Sequence, residues 1–457
     1  MAGKYKAYPE YKDSGIEVIG EVPKDWVVGR LKQIVDQNRQ ITYGIVQAGP
    51  NKKGGIPYIR PADMTDEVGV KDYDGLLRTA PEIAADYERS KIKAGDIVCS
   101  IGPSFGKLML TPEALDGANL TQGTARVAIS SSHNARYFFW ALRSTSSFQQ
   151  WESSVGGATF RALNLGPLAD TFVVVPFNAE QQKIANFLDN ETAKIDTLIE
   201  KQQQLIALLK EKRQAVISHA VTRGLNPNAP MKNSGVEWLG DVPEHWNVAA
   251  IRRYLVEHRQ GYYTTDAYVD DGTKLLRITD LRSLGEISIN DCPNVPYSDT
   301  LKNYLLEEGD VVFARTGGAG SFGVIPSLKE EVAYASYLIR FRFLPKHFNT
   351  NYLRFMLVAD SFQLAVKSNI HGGVTQNIHA EDIKDTFVAS PPLEEQKEIS
   401  LYLDKQSDKY AELINQADLA IQLMQERRTA LISAAVTGKI DVRNWVAPEK
   451  TKTKDVA

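Results

Sequence analysis

Two stretches decide how this chain is built: Lys12–Val28, KDSGIEVIGEVPKDWVV, and Lys232–Val248, KNSGVEWLGDVPEHWNV. Nine of their 17 positions are identical: Lys, Ser, Gly, Glu, Gly, Val, Pro, Trp and Val. A second pair, Glu180–Thr222 and Glu395–Thr437, agrees at 18 of 43 positions at an offset of 215. Both segments end on Ala-Val-Thr, at Ala220–Thr222 and Ala435–Thr437. A solenoid repeats every ~20–50 residues, so this spacing marks one duplication of a whole domain. The 457 residues hold two such copies, and 43% hydrophobic content gives each a core and excludes disorder for most of the chain.

Each copy runs in the same order: a Pro-Trp leading segment, a mixed region, then a long helix. Landmarks recur in the mixed regions. Gly95–Val98 answers Gly309–Val312, a turn before a buried-strand pattern. Ser104-Phe105-Gly106 is paired with Ser321-Phe322-Gly323, Gly156–Thr159 with Gly372–Thr375, and Asp170–Val173 with Asp385–Val388. Pro176 and Pro391 punctuate the passage into the helix. Between the landmarks, 33–54 and 248–273 share almost nothing. The scaffold repeats while its interior differs.

The long segments read as helices with an apolar seam. In the first, Leu188, Ile195, Leu209 and Val216 fall on multiples of seven, with Leu198 and Leu205 at the second seam position. In the second, Leu403, Tyr410, Ala417, Met424 and Leu431 recur every seven, with Leu413 between. Such a/d patterning is that of helices packed on each other. An ordinary amphipathic helix is the alternative, but Ile184–Thr222 would be ~58 Å long, too long for one small domain. Gly224 and Gly438 follow as stops.

The expected fold is therefore α+β: two mixed α/β domains joined by two long antiparallel coiled-coil helices, with an internal pseudo-two-fold repeat. The domain expectation is 1–178 and 231–393 for the two heads, 179–230 and 394–445 for the helices, and 446–457 for a disordered tail. A two-fold device with unlike heads suits a two-part, non-palindromic target.

Enzyme motifs are not persuasive. Gly318–Gly323 fits G-x-G-x-x-G after a strand-like Val311–Ala314, but Val324-Ile325-Pro326 is no helix start and the first copy lacks the pattern. Gly102–Lys107 is one residue short of a phosphate-binding loop, and Leu108 stands where Ser or Thr is needed. The seven histidines show no metal-ligand spacing, and no Asn-Pro-Pro-Tyr-like tetrapeptide is present. Cys99 and Cys292 lie far apart, which excludes a disulfide framework and fits a reducing, cytoplasmic setting. No apolar run approaches ~18 residues, and the first 15 residues lack a signal-peptide core. The net charge is −3, divided as +1 over 1–178, +1 over 179–230, −4 over 231–393 and −1 over 394–457. Nucleic-acid binders are usually basic, so composition alone does not announce DNA.

The leading segments SGIEVIGEVPKDW and SGVEWLGDVPEHW resemble the start of specificity subunits of Type I restriction–modification enzymes. So do PFNAEQQKIANFLD and PPLEEQKEISLYLD, and the helix exits RQAVISHAVTRGL and RTALISAAVTGKI. The resemblance spans about residues 11–445, with Val18 where its counterpart is Trp238. It implies two target-recognition domains, each reading half of a bipartite asymmetric site. The helices would set the gap and dock two modification (methyltransferase) subunits, which bind S-adenosylmethionine. Restriction subunits would use ATP and Mg. The chain itself would bind no cofactor or metal, catalyse nothing, and act on double-stranded DNA away from any membrane.

Base edges are read by polar side chains on exposed loops, and loops that differ between copies are the natural candidates. In the first copy these are Lys52, Lys53, Ser104, Lys107, Gln122, Thr159 and Arg161. In the second they are Tyr262, Tyr263, Arg315, Thr316, Ser321, Thr375, Gln376 and Asn377. Arg60 and Arg277, matched after IPYI and LLRI runs, suit scaffold or phosphate contact better. The acidic balance keeps one alternative in view, a two-headed protein–protein adaptor without sequence-specific DNA binding.

Overall fold

A computed structural model of the chain describes residues 5–155, 161–370 and 376–447. The chain divides into two compact units, 1–202 with 419–457, and 203–418. Both boundaries fall inside the long helices, Asn178–Arg223 and Leu393–Val436.

The first unit opens with an antiparallel hairpin, Tyr11–Asp13 against Glu21–Pro23. Val27–Arg30 then pairs with the distant Phe172–Val175. Its main sheet is antiparallel, in the order Thr42–Tyr43, Thr124–Val127, Ile97–Ser100, Leu108–Leu110. Ile97–Ser100 is buried at all four positions, so a continuous apolar run rather than an alternating one marks it. A smaller sheet holds Arg78–Thr79, Ile56–Ile59 and Asn119–Leu120, the last pair parallel. Helix Ala135–Leu142 is capped by Asn134, whose Oδ1 accepts from Tyr137 N–H at 2.9 Å.

The second unit repeats this plan strand for strand. Met231–Asn233 pairs with Asp241–Pro243, and Asn247–Ala250 with Phe387–Ser390. The four-stranded sheet runs Leu255–Gln260, Leu338–Phe343, Val311–Ala314, Phe322–Val324. The smaller one runs Asn294–Val295, Thr273–Leu276, Val332–Tyr334. The topology is conserved even where the two copies share no sequence.

The repeated residues explain why. Trp26 Nε1 donates to Glu180 at 2.9 Å, and Trp246 Nε1 to Glu395 at 3.1 Å. Each indole is buried. The glutamine that follows is also buried and fully used. Gln181 Nε2 donates to Pro176 O while its Oε1 accepts from Asn134 N–H. Gln396 does the same with Pro391 and Asn349. The Glu-Gln pair thus pins the Trp segment and a helix N-terminus to the start of each long helix. Gly224 (φ +73°) and Gly438 (φ +76°) end those helices in the left-handed region. A Cβ there would meet Trp246 at 3.3 Å and Trp26 at 3.0 Å respectively.

Within each unit the two helix segments run antiparallel. In the first, Lys183 Nζ donates to Arg443 O just beyond the second helix, and Arg428 Nε to Asp196 at 2.9 Å. Tyr137 O–H donates to Val174 O and Val436 O. In the second, Tyr352 O–H donates to Ala389 O and Val221 O, and Tyr402 lines a groove with Val216 and His219.

Burial along the long helices follows the expected heptad at one seam position and falls one residue later at the other. Leu188, Ile195, Leu403, Ala417 and Leu431 are buried, and Leu209, Val216, Tyr410 and Met424 are half-buried. Leu198, Leu205 and Leu413 are instead 51%, 43% and 37% exposed. Their neighbours Ile199, Ile206 and Ile414 turn inward. A period of 3.6 admits steps of three or four, and Leu-Ile pairs at 198/199 and 205/206 left that step undetermined. The loop pairing is also corrected. Hydrogen bonds Gly106 N→Ser100 O and Gly320 N→Ala314 O make Gly106 the counterpart of Gly320. Lys107 therefore matches Ser321, three residues from the pairing by Ser-Phe-Gly similarity.

Both cysteines are buried and free. Burial pushes the Cys99 thiol up to about 12, and burial with the neighbouring Asp280 does the same for Cys292. Thiolate is the reactive form, so neither should be alkylated by iodoacetamide at pH 8 while the chain is folded. Both should react once it is unfolded in denaturant. Native-state labelling, read by mass spectrometry, would contradict this packing.

Candidate nucleic-acid interface

At one end of each main sheet three connections meet, tied by matching backbone bonds. Ile101 N–H donates to Gly123 O at 2.9 Å and accepts Leu163 N–H at 2.9 Å. In the second unit Arg315 N–H donates to Tyr337 O at 2.9 Å and accepts Ile378 N–H at 3.0 Å. Ile45 N–H reaches Leu120 O, and Tyr262 N–H reaches Tyr334 O. These three bonds fall at equivalent residues of the two units, and the side chains there differ. By position in the ladder, Ile45 corresponds to Tyr262, Val46 to Tyr263, Ile101 to Arg315, Gln122 to Ser336, and Gly123 to Tyr337. Gly44 and Gly261 permit the approach. A Cβ on either would lie 2.0 Å from Leu120 O or 2.2 Å from Ala335 O.

In the second unit, five of the candidates converge. Tyr262, Tyr263, Arg315, Thr316 and Asn377 line one open cleft of about 970 Å³ with Tyr337, Ser336, Gln260, Thr300 and Tyr304. No carboxylate is among its described lining residues. Tyr263 and Tyr337 are 73% and 61% exposed. Thr316 bridges to Asn377 in an antiparallel pair, which fixes the floor. Gln376 is exposed beside Asn377. Ser321 faces a different cleft, with Gly317–Gly320 and Lys367. Thr375 lies outside the described residues.

In the first unit Ser104, Lys107 and Gln122 lie on the two adjoining turns. Ser104 and Gln122 are exposed. Lys107 is half-buried, and burial, with Lys71 nearby, holds its ammonium below the usual lysine range. Arg161 matches Gln376 in register. It pairs with Glu152 and lies 5.8 Å over the Phe105 ring, so its charge is already neutralised. Lys52 and Lys53 are exposed on a turn before Ile56–Ile59, with Lys52 N–H donating to Arg78 O. They belong to the smaller sheet. Thr159 lies outside the described residues.

Arg60 and Arg277 are scaffold. Each guanidinium grips the carboxylate three residues on, Asp63 at 2.7 Å and Asp280 at 3.1 Å, and that hydrogen bonding raises its basicity. Sequence reasoning missed a second matched pair, Arg126 and Arg340, each almost fully buried in the middle strand. Arg126 Nη1 donates to Lys91 O at 2.7 Å and Arg340 Nη1 to Leu305 O at 2.9 Å. Burial lowers the basicity of Arg126, which has only carbonyl acceptors, while Arg340 also reaches Glu257. Tyr337 was missed too, because it joins Arg315 only through the ladder.

The glycine loop 317–320 is a hairpin turn, with Gly317, Gly318 and Gly320 at positive φ. Strand Phe322–Val324 follows it, not a helix, so the dinucleotide reading fails. Among the described residues no three His, Cys, Asp or Glu are grouped to hold a metal ion. Among them also no helix is long and apolar enough to cross a membrane.

Duplicated heads with a shared backbone and divergent exposed loops define a two-headed recognition scaffold. The chain belongs to the family described as Type I restriction modification DNA specificity domain, which matches residues 23–208 and 286–423. It is 26% identical over 448 residues to the Type I restriction enzyme EcoKI specificity subunit of Escherichia coli (strain K12), covering 94% of this chain and 92% of that one. It is 28% identical over 201 residues to the EcoBI specificity subunit of Escherichia coli, covering 44% of this chain and 42% of the relative. A solved chain from work on complex assembly and conformational transition of the type I R-M system matches in fold. Its TM-score is 0.67 at 15% identity, over 92% of this chain and 99% of that one.

Proposed function

We propose that this chain is the non-catalytic DNA-recognition subunit of a cytoplasmic Type I restriction–modification complex. Each unit reads one half of a bipartite, asymmetric site in double-stranded DNA. The long helices set the gap and dock two methyltransferase subunits. Restriction subunits join the same assembly, and S-adenosylmethionine, ATP and Mg are bound by these partners. The observation that carries this reading is the pair of equivalent hydrogen-bond ladders presenting unlike side chains. One scaffold with two loop chemistries suits two unlike half-sites. The chain's net charge of −3 fits a reader whose partners supply much of the phosphate contact.

Methylation mapping of the assembled methyltransferase complex tests this. A two-part site with a fixed gap is expected; a contiguous or palindromic site, or an adaptor that retains no DNA, would overturn it. Inserting four residues after Gln202 adds about one turn, ~6 Å, to the first long helix. The preferred gap should lengthen or binding should be lost. An unchanged gap removes the spacing role from the helices.

A further inference from the structure

We propose that Arg315 reads a guanine in the half-site recognised by the second unit and is a specificity-determining residue there. This rests on the DNA-recognition reading above. Arg315 is exposed, yet its backbone is held on both sides, by Tyr337 O at 2.9 Å and Ile378 N at 3.0 Å. The side chain is therefore launched from a fixed point into the cleft. It has no hydrogen-bond or ion-pair partner among the described residues. Several other arginines of the unit are paired, Arg252 with Asp385, Arg282 with Asp291, Arg342 with Asp310 and Arg354 with Asp404; Arg213, Arg223 and Arg253 have no such partner among the described residues, but none of them lines this cleft. In a segment carrying net −4 this guanidinium is unneutralised, in a cleft with no carboxylate among its described lining residues. The exposed rings of Tyr263 and Tyr337 wall it.

A guanidinium is a rigid fork of donors. It matches two ligands in DNA: a phosphate, or the O6 and N7 acceptors on the major-groove edge of guanine. The comparison of the two ladders separates them. Phosphates are the same under both half-sites, so a backbone grip would suit both units equally. At this register position the first unit carries Ile101, which is 8% exposed. A residue that differs between the units at one point of a shared scaffold belongs to what differs in the target, the bases.

The test uses the assembled methyltransferase complex with duplex DNA in which each position of both half-sites is varied in turn. Arg315→Ala should lose about 10- to 100-fold discrimination for guanine at one position, all in one half-site, leaving the other half unchanged. Arg315→Lys keeps the charge without the fork, so it should hold overall affinity better than alanine and still lose the guanine preference. Two results overturn the inference while leaving the recognition reading intact. One is full discrimination retained at every position by both variants. The other is an affinity loss equal for all sequences, the mark of a phosphate contact. If the unmodified complex shows no two-part preference, the recognition reading itself falls and this inference with it.

Discussion

Replacing Trp246 with alanine is expected to destabilise the second unit by about 4 kcal/mol. The indole is 1% exposed, so its removal leaves a cavity among residues from three separate segments. It packs against the end of one long helix at Gly224 and bonds Glu395 at the start of the other. Losing the Nε1 donor also leaves the Glu395 carboxylate, only partly exposed, with His245 Nε2 at 2.7 Å as its remaining side-chain partner. Trp246→Phe should cost about half as much, because it keeps most of the buried area and loses the donor. Hydrogen exchange read by mass spectrometry resolves the units separately, which one melting curve would not. Protection should fall across 203–418. Trp26→Ala should do the same to 1–202 with 419–457, where Trp26 meets Glu180 and Gly438. A change below ~1 kcal/mol in either unit would mean the shared Trp–Glu–Gly arrangement is not what locks the helices into the heads.

Gly261→Ala should act on binding instead. An alanine Cβ would sit 2.2 Å from Ala335 O and 2.6 Å from Tyr334 O, both backbone atoms that no rotamer can avoid. The strand must shift, and Tyr262 N–H would leave Tyr334 O, now 2.8 Å away. Tyr262, Tyr263 and Arg315 would then lose their common frame. Affinity for the half-site read by the second unit should drop about 100-fold, ~3 kcal/mol, the worth of one or two base contacts. Gly44→Ala, 2.0 Å from Leu120 O, should weaken the other half-site. Gel-shift titration against DNA altered in one half at a time reads both. Equal affinities for all variants would show that these loops do not carry recognition.

Much of this was legible in the sequence because duplication leaves a mark at every position under a strict physical demand. Trp26 and Trp246, the Glu-Gln pairs and the terminal glycines recur because each satisfies a buried polar atom or a left-handed backbone that few residues can. The seam was half legible. Heptad positions Leu188 and Leu403 stood out, but helical periodicity could not choose between Leu198 and Ile199. Of the candidate recognition residues, sequence divergence picked out Tyr262, Tyr263, Arg315, Thr316 and Asn377, which the fold brings to one cleft. It also picked Ser321, Lys52 and Lys53, which the fold sends elsewhere.

By itself, then, the sequence determined that there are two copies of one scaffold, each closed by a long helix. Local pattern and repeated contacts are enough to specify that. Which exposed residues share a cleft was decided only in three dimensions. Backbone bonds such as Arg315 to Tyr337 and Ile378 join chain segments that are distant in sequence. Register across such pairs is set by the ladder, and a shift of one residue turns a side chain to the opposite face.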